Sequence, residues 1–216
     1  MKRFITALLV CFITINASAQ SDKYVKAMEE KVAAMDTTRS AAGLQALANA
    51  FERIATAEKQ QWLPYYYAAL ANINMGYGMT QSGNLAGIDA VTDKAEALIA
   101  QAETLSSNNA EIFILKKMAH SLRFMVDPQS RYMKYAPLAQ AAMEKAKTLD
   151  PENPRIYMLE GQDKFYTPEQ YGGSKTEAKK LFELAAQKYN NFKPASTIAP
   201  TWGKAMNSYY LAQASK

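Results

Sequence analysis

The chain has 216 residues, a net charge of +5 and 49% hydrophobic residues, enough for one domain with its own core. Its basic residues are scattered among acidic ones instead of forming a block or stripe, which argues against a nucleic-acid partner. One cysteine and one histidine leave no basis for a disulfide framework or for the commonest metal-ligand sets.

The first residues read as a secretory leader. Lys2 and Arg3 precede an apolar run from Phe4 to Ile15, and Ala17-Ser18-Ala19 is an Ala-x-Ala cleavage site. The expected organisation is therefore a signal peptide over 1–19 and one helical domain over 20–216, exported to the periplasm or the outside. Cys11 lies within the leader, with Val10 too large for a lipoprotein box. No later stretch is long enough to span a bilayer.

The mature part predicts about nine helices and no strands. The first runs from Tyr24 to Met35, capped by Ser21 or Asp22, and the second from Ser40 to Lys59 with Leu44, Leu47, Phe51 and Ile54 on its buried stripe. The third starts near Trp62 with Pro64 in its first turn, fades at Gly76 and Gly78, and leaves Gly76 to Gly87 as a loop. The fourth covers Ile88 to Leu105 and the fifth Ala110 to Val126. The sixth opens at Asp127-Pro128 and ends at Leu149, with Pro137 forcing a kink or a short preceding turn. The seventh spans Arg155 to Tyr166. After a short turn closed by Gly172-Gly173, the capping box Ser174 to Glu177 opens the eighth. The ninth begins near Pro200-Thr201-Trp202 and caps the array.

Ala95-x-x-Leu98-x-x-x-Ala102, Ala139-x-x-Ala142-x-x-x-Ala146 and Ala178-x-x-Leu181-x-x-x-Ala185 superimpose without a gap, with a fainter copy at Ala48, Phe51 and Ala55. Residues three and four apart share a helix face, so each copy is a small-residue stripe that lets a neighbour approach closely. Their recurrence marks an array of helical hairpins. Ala139, Met143, Ala146, Pro151 and Gly161, with the join Lys147 to Pro154, resemble the tetratricopeptide repeat. That resemblance implies an all-α fold, a right-handed superhelix of about four helical hairpins plus a C-terminal capping helix. These units are longer than the usual repeat of about 34 residues, with the extra residues at 76–87, 124–135 and 167–173. The segment Thr167 to Ser174 is also similar to one in the TatT-like helical subunits of certain periplasmic solute transporters.

No residue pattern for catalysis stands out, and no cofactor is expected. His120 has no histidine or cysteine to join it in a metal site. Glu160 and Asp163 read as a solvated helix face, and Gly76-x-Gly78 follows no strand. Tyr65-Tyr66-Tyr67 with Trp62 is the densest aromatic cluster; three consecutive helix positions cannot all be buried against one neighbour. In the repeat fold the first helix of each hairpin lines the concave side. Projecting from Gly161, Lys117 and Leu70 puts Tyr67, Asn74, Glu111, Met118, Arg155, Met158, Gln162 and Phe165 on that side. Aromatics, methionines and a few polar groups suit a protein or peptide partner, bound without enzymatic activity. The alternative is a small-molecule binder or transporter accessory holding an apolar ligand between hairpins. An open groove favours the first, and a closed pocket lined by Tyr66, Tyr67 and methionines the second.

Overall fold

The computed structural model describes residues 22–216, so the expected leader, Cys11 and the cleavage site lie outside the described residues. The described residues are all-α, with nine helices, one 3-10 turn and no strand. The helices are α1 (Asp22–Met35), α2 (Ala41–Ala57), α3 (Trp62–Gln81), α4 (Ile88–Leu105), α5 (Ala110–Val126), α6 (Pro128–Leu149), α7 (Pro154–Tyr166), α8 (Lys175–Asn191) and α9 (Lys204–Ala214).

Five of the starts are fixed by side-chain caps. Ser40, Asn109, Asp127, Asn153 and Ser174 each accept from a backbone N–H in the first turn of α2, α5, α6, α7 and α8. Each such cap is worth about 1 kcal/mol. The alanine stripes are buried: Ala95 and Ala102 on α4, Ala139, Ala142 and Ala146 on α6, Ala178 and Ala185 on α8. Gly161 does the same on α7. A Cβ there would come within 2.6 Å of Phe182 Cε1, so only glycine lets α7 and α8 approach this closely.

Two boundaries differ from expectation, and at Pro137 the expected short preceding turn is ruled out. Helix α3 does not fade at Gly76 but continues to Gln81. Leu122 of α5 packs directly onto Gly76, and this contact outweighs the weak helix propensity of glycine. Helix α6 is continuous through Pro137, which sits on its exposed half. Helix α9 starts at Lys204 because Pro200 to Trp202 are used otherwise, in the connection from α8.

Helices that follow one another in the chain pack side by side, with one exception: α6 and α7 meet only near their joining turn. At that turn Tyr157 O–H donates to the Pro151 carbonyl at 2.8 Å, and Lys147 reaches Glu160 at 2.9 Å. No helix among the described residues is long and apolar enough to cross a membrane.

Candidate functional site

The amino-terminal halves of α3, α5 and α7 converge on one buried ion pair. Arg155 of α7 is fully buried and Glu111 of α5 is 8% exposed. Arg155 Nε donates to the Glu111 carboxylate oxygens at 3.0 and 3.1 Å, and Nη2 donates to Oε1. Tyr66 O–H donates to Glu111 Oε2 at 2.8 Å and Asn153 Nδ2 to Oε1 at 2.6 Å. Burial opposes the guanidinium charge, but the neighbouring Glu111 outweighs it and holds the Arg155 pKa above its ordinary value. Burial, then the Glu111 charge, pushes the Tyr66 phenol well up, so it remains a donor.

Residues 192–203 cross over this cluster. Trp202 Nε1 donates to Tyr66 Oη at 2.7 Å, Tyr67 O–H to the Ile198 carbonyl at 3.0 Å, and Tyr189 O–H to the Trp202 carbonyl at 3.2 Å. The Arg155 guanidinium lies over the rings of Phe192 and Trp202, 4.8 and 5.6 Å from their centroids. Ile198 is fully buried. The chain's own loop thus fills this end of the inner face.

The other end is open. Tyr166 (63% exposed), Tyr209 (59%) and Met206 (43%) stand beside the half-buried Phe165 and Tyr210. Tyr210 stacks on the buried Phe182 of α8, with centroids 5.6 Å apart at 15°. Phe165 meets Tyr166 and Tyr210 at 5.2 and 6.0 Å, and the Tyr166 and Tyr210 oxygens are 3.1 Å apart. Burial and then the hydrogen bond to Tyr166 raise the Tyr210 pKa, so Tyr210 keeps its proton. Gln162 Nε2 donates to Met206 Sδ at 3.2 Å, which joins α7 to α9. Tyr77 of α3 donates to the Met118 carbonyl at 3.4 Å, and burial followed by the charges of Asp163 and Tyr210 raises its pKa. Lys117 pairs with Asp163 at 2.6 Å. Aromatic rings, a thioether and protonated phenols are thus gathered on a partly exposed face where α7 meets α9.

The sequence-derived candidates divide along the line of the loop. Tyr67, Glu111, Arg155 and Met158 are buried in the network or under it, and Met118 is 5% exposed beneath Tyr77. They hold the fold and offer a partner almost no surface. Asn74, Gln162 and Phe165 are partly exposed, and the last two border the aromatic face. Tyr66 and Tyr67 are buried in the core, Tyr67 stacked on Phe51 and Tyr66 edge-on to Trp62, and Tyr65 is half-buried. His120 lies 3.8 Å from Glu96 and 6.4 Å from the Tyr135 ring, and no group of metal-binding side chains occurs among the described residues. Tyr166, Met206, Tyr209 and Tyr210 escaped the sequence reading. The adjacent pair Tyr209-Tyr210, at the helical spacing of three and four from Met206, was the available signal.

No family model matches the chain, and no curated protein matches it. Among solved structures it is similar to the HusA haemophore from Porphyromonas gingivalis, with a TM-score of 0.79 and 32% identity over 90% of this chain and 94% of that one. This corrects the expectation of a protein or peptide partner: the relative is a haemophore, a carrier of a small molecule.

Proposed function

The chain belongs to the family of the HusA haemophore, and from that membership we propose that it is an exported haem-binding protein, acting by capture and not by catalysis. The observation that carries the reading is identity of 32% across nearly the whole of the haemophore. The leader-like start, Lys2-Arg3 followed by an apolar run and Ala17-Ser18-Ala19, supports export. Of the two sequence readings, the small-molecule alternative is the one this supports.

We assign haem to the aromatic face where α7 meets α9, and take the groove it would occupy to run along Phe165, Tyr166, Met206 and Tyr210. Tyr166 and Tyr210 offer ring faces and edges to a porphyrin, the Met206 thioether adapts to its rim, and Phe182 backs Tyr210 from below. The tightly packed opposite end, closed by Trp202 and Ile198, serves as the fixed wall against which the groove keeps its shape.

The test is titration of the mature protein with haem, followed by the Soret band. Saturable one-to-one binding is expected, weakened roughly ten-fold by Tyr166→Ala, since an aromatic contact contributes about 0.5–1.5 kcal/mol beyond its buried area. Absence of saturable binding refutes the haem reading. Binding that neither Tyr166→Ala nor Met206→Ala alters refutes the placement in this groove.

A further inference from the structure

Haem carries two carboxylates beside its apolar ring system, so a groove made only of aromatic and thioether groups accounts for half of its chemistry. Lys175, the first residue of α8, has its ammonium 5.9 Å from the centroid of the Phe165 ring. Tyr166 and Tyr210 both lie within 6.0 Å of that same ring, so Lys175 stands at the margin of the aromatic stack. The lysine is exposed, and no carboxylate among the described residues pairs with it; the nearby Glu177 is engaged by Lys180 at 3.0 Å. Lys164, in the last turn of α7, donates to the Gly172 carbonyl at 3.0 Å. Asp163, two residues before Phe165 on α7, is matched by Lys117 at 2.6 Å and presents no uncompensated charge against an anion.

We infer that Lys175 is the anionic-group anchor of the groove: it pairs with a ligand carboxylate when the flat ring system lies against Tyr166 and Tyr210. The inference rests on the haem reading of the same groove and adds to it a preference for porphyrins bearing free acids. An exposed ion pair contributes modestly, and salt weakens it. The expected effect is therefore a three- to five-fold change, about what one such pair supplies.

The experiment crosses two changes, Lys175→Gln in the protein and haem against its dimethyl ester, at low and high salt. The wild type is expected to bind the free acid about three- to five-fold more tightly than the ester. Lys175→Gln should erase that preference, leaving its ester affinity at the wild-type value, and Lys175→Arg should restore it. Equal wild-type affinity for acid and ester overturns the anchor while leaving haem binding intact. So does a Lys175→Gln variant that weakens both ligands equally, which would mean that the lysine acts through packing on Phe165. A wild type that binds neither overturns the haem reading and the anchor together. Unchanged thermal melting of the variants keeps the comparison free of folding effects.

Discussion

Replacing Arg155 with methionine is the sharpest test of how the inner face is held. The substitution keeps a long apolar side chain in place but removes the Nε bonds to both Glu111 oxygens, the Nη2 bond, and the cation over Phe192 and Trp202. Glu111, only 8% exposed, would retain Tyr66 and Asn153 as donors and lose its counter-charge. Removing one partner of a buried pair costs about 3–5 kcal/mol, because an uncompensated charge stays behind. For a domain of this size each kcal/mol lowers the melting temperature by roughly 2–4 °C, so the expected loss is about 6–20 °C. Urea unfolding followed by circular dichroism gives the free energy, and tryptophan fluorescence in a Trp62→Phe background, where Trp202 alone emits, reports whether residues 192–203 have come away from Tyr66. Adding Glu111→Gln to Arg155→Met should recover at least about 1 kcal/mol, since the buried charge is then gone while Tyr66 keeps an acceptor. A single variant within about 1 kcal/mol of wild type, with no recovery in the double, would refute the view that this pair fastens the loop to the helices.

Other consequences follow from the same packing. Ala146→Leu puts a branched side chain on a fully buried stripe of α6, and overpacking should cost about 1–3 kcal/mol in denaturant unfolding. Gly173→Ala should also destabilise, because its Cβ would lie 1.6 Å from the Thr167 carbonyl oxygen; the preceding Gly172, at φ +90°, completes the turn. If Gly173→Ala left the melting temperature unchanged and only haem capture fell, the structural account of that turn would fail. Acid should destabilise the protein in two steps. Burial lowers the His120 pKa below 6.5, opposed by Glu96 and reinforced by Lys116 and Arg123, so the neutral form is the one the fold prefers. Its contribution is intact above 6.5 and is lost as pH falls through the lowered folded value. Asp89, held at about 2 chiefly by Arg131, contributes above 3.8 and loses that contribution on the way down to 2. Melting temperatures of His120→Gln measured from pH 7 to pH 2 should show the first step flattened and the second retained.

Local chemistry made the helix starts legible, since an Asn, Asp or Ser followed by a helix former carries its own hydrogen-bond logic. The small-residue stripes were legible for a similar reason, because a repeated alanine spacing has no role on a solvated face. The projection from Gly161 placed Tyr67, Glu111 and Arg155 on a common side, and in the structure they gather around one network. What periodicity could not reveal is that residues 192–203, with no regular structure, return across that side and bury it. Such a loop is specified by tertiary partners alone: Ile198 by Tyr67, Trp202 by Tyr66 and Tyr189. The same limit hid the continuation of α3 past Gly76, which depends on Leu122 of another helix. Only part of the face proposed for haem was legible. Gln162 and Phe165 emerged from the register, whereas the rings of α9 were read as a cap that merely closes the stack.

That cap is lightly held, which gives the haem reading a test independent of affinity. Asn207 is the one buried residue of α9, donating from Nδ2 to the Phe182 carbonyl at 2.9 Å, and the stack of Tyr210 on Phe182 is its other main attachment. An element with so little burial belongs to the low-stability end of the fold and should exchange its amide hydrogens through local opening, without global unfolding. A ligand that binds only the closed arrangement slows that opening by mass action, about 2.7 kcal/mol when its concentration is a hundred times Kd. Hydrogen exchange with and without haem should therefore show α9 amides, residues 204–214, slowed by up to roughly a hundred-fold. Those of α1 and α2, which lie outside the groove, should stay at their unliganded rates. Protection of α1 and α2 without protection of α9 would move the haem site out of this groove, however tightly the ligand bound.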